Sequence, residues 1–263
     1  MTQVRSALLD VANLSVRFGG LAALEGLTFA VAEGEILALI GPNGAGKTSA
    51  FNAITGYVRA SAGDICYRST RLNGLRPYEI AALGVVRTFQ KTSVFRGQTV
   101  FANVLIGLHL RSSQRPLAIL LGLRSVAAEE RRLAAEAAEI LRFVGLEPRA
   151  ERLAGELAYG ELRLLEVAVA LAAKPTLLLL DEPVSGMNPT ETASFTSLLG
   201  KLKALGLTVL LVEHDMQMVM GASDRVICLN HGRIIASGSP AEIQRHPAVI
   251  RAYLGDRRAR AQG

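Results

Sequence analysis

Tryptophan is absent from this 263-residue sequence, aromatic residues make up only 5% of it, and it has two cysteines and four histidines. The cysteines, Cys66 and Cys228, have neither the spacing of a redox pair nor that of a zinc site, so a disulfide framework and a structural metal are excluded and both read as small buried apolar residues. Long hydrophobic runs are also missing. A spanning helix needs about 20 mostly apolar residues, and the densest runs, Leu117 to Leu123, Leu177 to Leu180 and Val209 to Val212, are far shorter. They read as core strands or a helix face. Met1 to Asp10 lacks the basic segment, apolar stretch and small-residue site of a secretory signal, so the chain is expected to stay in the cytoplasm. No internal repeat or low-complexity tract is present.

What is present is a globular composition. Half the residues are apolar and 20% are charged, which excludes a disordered or collagen-like chain. The length suits one α/β domain, or one with a lobe attached, with a core that needs no staples. A formal charge of +6, a pI near 9.7 and a mean hydropathy of +0.30 point to a membrane surface or to nucleic acid, and composition does not choose between them.

Ala7 to Arg17 and Leu27 to Val31 read as short strands, followed by a compact apolar strand from Glu35 to Ile40 that ends at Gly41. Gly46 to Thr55 reads as a helix closed by Gly56. Asp64 to Tyr67 and Val85 to Phe89 read as strands, and Val126 to Val144 as an amphipathic helix with Val126, Leu133, Ala137, Ile140, Leu141 and Val144 on one stripe. Next come a helix at Glu161 to Ala173, a buried strand at Thr176 to Leu180, a helix at Ser194 to Leu205 and a strand at Leu207 to Val212. This alternation argues for a largely parallel sheet. Arg225 to Leu229 and Arg233 to Ala236 flank Asn230-His231-Gly232 as a hairpin, and Pro240 to Leu254 reads as a terminal helix. Leu108 to Ser125 has no clear assignment.

The sharpest motif is Gly41-Pro42-Asn43-Gly44-Ala45-Gly46-Lys47-Thr48, which matches G-x-x-x-x-G-K-[ST] between a strand and a helix. Glycines let consecutive backbone N–H groups turn inward on a triphosphate, and the following helix, which carries Ser49 just past the motif as a further nucleotide-binding residue, presents its positive end. Lys47 is expected to reach the β- and γ-phosphates of ATP, and the Thr48 hydroxyl to ligate Mg²⁺. A second signal is the buried strand Leu177 to Leu180 ending in Asp181-Glu182. Strand alternation points the two carboxylates apart, so Asp181 is expected in the Mg²⁺ shell and Glu182 as the general base that polarises water.

With these two motifs in order, the chain resembles the ATP-binding subunits of ABC transporters along nearly its whole length. The resemblance implies an α/β fold: a P-loop NTPase (RecA-like) core with a mostly parallel sheet, an N-terminal antiparallel β subdomain and an α-helical subdomain. A single ATP-binding domain at about 5–255 would hold the helical part at about 91–160, with a basic tail at 256–263. Gln90, in Arg87-Thr88-Phe89-Gln90, matches the glutamine loop, which touches Mg²⁺ or the attacking water. Leu157-Ala158-Tyr159-Gly160-Glu161 stands where the family's signature is usually Leu-Ser-Gly-Gly-Gln. His214 matches the switch histidine that contacts the γ-phosphate, Ser185 to Pro189 the D-loop, and Phe18 the aromatic that stacks on adenine. Ala158 removes a hydroxyl from the signature, and Glu161 adds a negative charge expected to weaken ATP affinity. The remaining histidines, His109, His231 and His246, read as surface or turn residues.

Within the family, Leu157 to Gly160, Gly186 to Glu191 and Val249 to Gly255 look like the G-type ATP-binding subunit of branched-chain amino-acid importers. That resemblance implies two transmembrane permease subunits, a second ATP-binding subunit sandwiching two ATP molecules, an extracytoplasmic solute-binding protein, and a peripheral place on the cytoplasmic face of the inner membrane. Similar subunits serve urea, amide or other small-solute transport and lipopolysaccharide export, and a non-transport nucleotide switch is a further alternative. ABC ATPases acting on nucleic acid usually carry two ATP-binding halves or long coiled-coil insertions, so no nucleic-acid partner is expected.

Overall fold

The structure, a computed structural model, describes residues 7–88, 94–109 and 124–260, with side chains described except at 124–126 and 254–260. Phe89, Gln90 and most of Leu108 to Ser125 lie outside the described residues. The chain divides into two compact units. One takes the chain up to Arg87, then Thr176–Ser185 and everything from Thr192; the other takes Thr88–Pro175 and Gly186–Glu191. The second unit includes the helix that follows the signature, which packs on the other helices of that unit.

The first unit contains two sheets. Strands β1 (Ala7–Phe18), β2 (Leu21–Ala32), β4 (Ala62–Tyr67) and β5 (Thr70–Arg71) form an antiparallel sheet in the order β2-β1-β4-β5. The second sheet runs β10-β9-β3-β8-β7-β6, from β3 (Ile36–Ile40), β6 (Val85–Arg87), β7 (Leu177–Asp181), β8 (Thr208–Val212), β9 (Arg225–Asn230) and β10 (Arg233–Gly238). It is parallel except for the β9-β10 hairpin. Every residue of β3, β7 and β8 is buried, which is why these segments read as unbroken apolar runs with no alternation. Leu9, Leu14 and Phe29 of the first sheet, Leu37, Leu179 and Leu210 of the second, and Phe51 and Ile54 of α1 (Lys47–Ile54) meet in one core.

Strand β2 begins six residues before the expected Leu27, because pairing with β1, through several register shifts, imposes extended structure on a segment without clean alternation. A short helix, α2 (Pro77–Ala82), had no counterpart in the sequence reading.

The second unit packs α3 (Val100–His109), α4 (Arg124–Val144) and α5 (Tyr159–Ala172) on one another. The expected stripe of α4 is buried at Leu133, Ala137, Leu141 and Val144 and partly covered at Ile140; the Val126 side chain is outside the described set. Helix α6 (Pro189–Ala204) starts five residues earlier than expected. The Glu191 N–H donates to Asn188 Oδ1 and the Asn188 N–H to Glu191 Oε2, both at 2.9 Å, a reciprocal cap that permits proline in the first turn. After α7 (Met216–Ala222), the expected terminal helix is two, α8 (Pro240–Arg245) and α9 (Pro247–Arg260). His246 precedes a proline and adopts extended backbone, which ends α8.

Candidate functional site

Strand β3 stops at Ile40 and α1 begins at Lys47; the residues between curl into the phosphate loop. Gly41 and Gly46 have φ of +149° and +105°, and a side chain at Gly41 would collide with the Leu229 carbonyl, so the loop geometry requires glycine at both. Lys47 is 7% exposed, and its ammonium donates to the carbonyls of Gly41 at 2.6 Å and Pro42 at 3.1 Å. It therefore lies inside the curl of the loop, over the ring of backbone it would share with a phosphate.

An open cleft of about 580 Å³ covers this loop. It is lined by Asn43 to Ser49, by Glu182, by Phe18 and Leu21 to Ala23 at the β1-β2 turn, and by His231 and Gly232 at the β9-β10 turn. Phe18 is 50% exposed, so its ring is free to cover a flat heterocycle. His231 is expected to be a surface or turn residue. It does occupy a turn, at φ +46°, but that turn forms part of the cleft wall. The Gly232 N–H donates to the Ala45 carbonyl and the Glu25 N–H to the Gly232 carbonyl, both at 3.0 Å, which holds the hairpin tip between the loop and β2.

The two carboxylates part company as expected, with a cause other than strand alternation alone. Asp181 is the last residue of β7, whereas Glu182 lies beyond it in the left-handed region at φ +48°, its N–H bonded to the Val212 carbonyl at 2.8 Å. Asp181 is buried and its Oδ2 accepts from Arg87 Nη2 at 2.7 Å, while Oδ1 is buried without a hydrogen-bond partner. Arg87 also donates to Asn52 Oδ1 at 2.6 Å, tying β6, α1 and β7 together. The Glu182 side chain is partly exposed in the cleft, and His214 Nδ1 stands 3.9 Å from its Oε1. Beside them Glu213 is fully buried, neither carboxylate oxygen has a hydrogen-bond partner, and burial together with the charge of Glu182 pushes its pKa up to about 8.

The signature residues lie in the second unit. Ala158 precedes α5, is exposed, and its N–H donates to Glu161 Oε2 at 3.1 Å. Glu161 Oε1 in turn accepts from Arg149 Nε at 2.8 Å, and this bond holds the Glu161 carboxyl below its usual range. The charge expected to weigh against a phosphate is thus already paired with a guanidinium. Tyr159 lies against Gly186, and Gly160 is tight against the Glu191 carboxylate, so the signature and D-loop segments meet within this unit.

No cluster of three or more His, Cys, Asp or Glu that would hold a metal occurs among the described residues. A divalent ion that takes most of its ligands from phosphates and water needs no such cluster, only one or two protein oxygens. The orphaned Oδ1 of Asp181 and the Thr48 hydroxyl at the cleft wall fit that requirement.

Arg87, Gly232, Glu213 and the first residues of β2, Leu21 to Ala23, carry no motif that marks them as part of the site. Their partners lie far away along the chain, and only the Arg87 phrase carried a signal, through its neighbour Gln90, which is outside the described residues.

Comparison with known sequences and folds gives a consistent picture. The ABC transporter family matches residues 24–185, and the family described as branched-chain amino acid ATP-binding cassette transporter matches residues 233–259. The chain is 43% identical over 250 residues to the high-affinity branched-chain amino acid transport ATP-binding protein LivG of Salmonella typhimurium, covering 95% of this chain and 98% of that one. It is 42% identical to BraF of Pseudomonas aeruginosa, with the same transport description and the same coverage. Among solved structures, an ATP-binding cassette of an ABC transporter in its ADP conformation superposes with a TM-score of 0.83 at 32% identity, covering 95% of this chain and 99% of that one. A nucleotide-free cassette gives 0.82 at 31% identity, covering 94% and 99%.

Proposed function

Because the chain belongs to the ABC transporter family, whose ATP-binding subunits hydrolyse ATP, we propose that it powers import of branched-chain amino acids through partner permeases. The observation that carries the solute class is the identity of 43% over 95% of the chain with a branched-chain amino acid transport subunit; nothing in the cleft of this subunit selects a solute. The chemistry is carried by the cleft itself.

In this reading Phe18 stacks on adenine, and the phosphate loop, Gly41 to Ser49, holds the phosphates through N–H groups that follow Pro42 together with the N-terminus of α1. Lys47 leaves the Gly41 and Pro42 carbonyls for phosphate oxygens. Mg²⁺, held by Thr48, Asp181 and Gln90, would offset phosphate charge when bound. Glu182 accepts the proton of the attacking water, and His214 faces the γ-phosphate and orients the Glu182 carboxylate. Leu157 to Glu161 complete the site on a second ATP-binding subunit, through the amides that open α5. Such subunits dimerise and couple to permeases; here we assign two permeases, a different ATP-binding partner and an extracytoplasmic solute-binding protein. No helix among the described residues is long and apolar enough to cross a membrane, and we assign the chain to the cytoplasmic face, held there by its partners.

The test is reconstitution of the chain with permeases and a second ATP-binding subunit of a branched-chain amino-acid importer, in proteoliposomes. Leucine-loaded binding protein is expected to raise ATP hydrolysis and drive leucine uptake. Stimulation by urea or an amide instead, or by no loaded binding protein, would overturn the solute assignment.

A further inference from the structure

At its two ends Gly41 is held by different parts of the molecule. Its carbonyl accepts from Lys47 Nζ at 2.6 Å, while its N–H donates to the phenol oxygen of Tyr253 on α9 at 3.0 Å, a bond across 212 residues of sequence. Gly41 is buried, so its N–H has no water to turn to, and a buried donor of this kind needs a partner. The Leu229 carbonyl crowds the α-carbon from the β9 side, yet the N–H goes to the tyrosine. Burial pushes the Tyr253 hydroxyl up to about 12, so it stays neutral at every physiological pH.

We infer that Tyr253 is a positioning residue for nucleotide binding, holding the entrance of the phosphate loop in its left-handed turn while Lys47 changes partners. The inference rests on the proposed role of Lys47. With Lys47 on its carbonyl and Tyr253 on its N–H, Gly41 is fixed from both sides. Once the ammonium moves to phosphate, the carbonyl-side restraint is gone, and the Tyr253 bond is the remaining side-chain restraint described at Gly41. Its loss is therefore felt more in the ATP-bound state than in the free one. Through this bond the terminal helix reaches the start of the phosphate loop and thereby sets the affinity of the site.

Tyr253→Phe removes one oxygen and keeps the ring. The full chain carrying it is expected to bind ATP roughly three- to tenfold more weakly, with KM for ATP rising in proportion and kcat nearly kept. The Gly41 amide is expected to exchange its hydrogen faster in the ATP-bound variant than in the ATP-bound native protein. Val249→Ala, which truncates a buried side chain of the same helix, serves as the comparison for packing loss and is expected to leave ATP affinity within twofold. A melting temperature lowered in Tyr253→Phe with ATP affinity and Gly41 exchange unchanged well below the transition would overturn the inference, leaving Tyr253 a packing residue. Lys47→Ala separates the two levels: if it too binds ATP normally, the site assignment fails, whereas loss in Lys47→Ala with native binding in Tyr253→Phe defeats the positioning role alone.

Discussion

Glu182 and Glu213 are neighbours with opposite surroundings, one open to the cleft and the other sealed beneath it. Replacing Glu182 by Gln keeps the shape of the side chain and removes the proton acceptor. Steady-state hydrolysis is expected to fall by about 10²-fold or more while ATP binding persists, and undiminished turnover would remove Glu182 from the role of base. Glu213 makes a different, pH-linked prediction. Its folded pKa of about 8 lies above the 4.5 of an unperturbed carboxyl, so between those values the folded chain holds more proton than the unfolded one. Stability from this group is complete below pH 4.5 and is lost as pH rises through 8. Glu182, His214, Asp215 and Asp181 are the titratable groups around it. Glu213→Gln is expected to raise the melting temperature relative to the native chain at pH 9 and to leave it nearly unchanged at pH 5; an equal difference at both would refute the buried, protonated state. The burial of Glu213 was not legible in Val212-Glu213-His214, because a glutamate at a strand end reads as solvated until the neighbouring strands are placed over it.

Among elements, those whose cause is local were read closely. The strand-loop-helix around Lys47 follows from glycines and one apolar run, and the α4 stripe from its spacing. Boundaries set by caps or by distant pairing shifted: α6 gained a turn from the Asn188 and Glu191 exchange, the tail split at Pro247, and β2 lengthened against β1. Helix α5 starts at Tyr159 with Ala158 at its cap and no hydroxyl to offer the first turn. Ala158→Ser is expected to stabilise that helix end by about 1 kcal/mol, read as a small rise in melting temperature. In the proposed dimer it also adds a donor for the partner's γ-phosphate. Tighter ATP-driven dimerisation, measured by sedimentation with Glu182→Gln as background, would show that the hydroxyl matters there; no change would leave the amides of α5 sufficient.

At the scale of the whole molecule, much of the apolar content lies in strands such as β3, β7 and β8, buried on both faces, and no helix among the described residues is long and apolar enough to cross a membrane. Sequence order and sheet order differ sharply: β3, which launches the phosphate loop, is flanked by β8 and β9, and the loop itself is closed by Gly232 and Tyr253. A ribosome adding about 5–20 residues per second therefore has β3 out of the tunnel roughly ten to forty seconds before its second neighbour arrives. Until β8 emerges late in that interval the nascent chain displays Ile36 to Ile40 as an unpaired apolar segment, and throughout it the glycine loop has neither its hairpin wall nor its terminal-helix bond. Nascent chains stalled at increasing length are expected to acquire ATP binding once the β9-β10 hairpin has emerged and to reach full affinity only when Tyr253 follows, so synthesis itself keeps half-made subunits from capturing nucleotide or pairing prematurely with a finished partner.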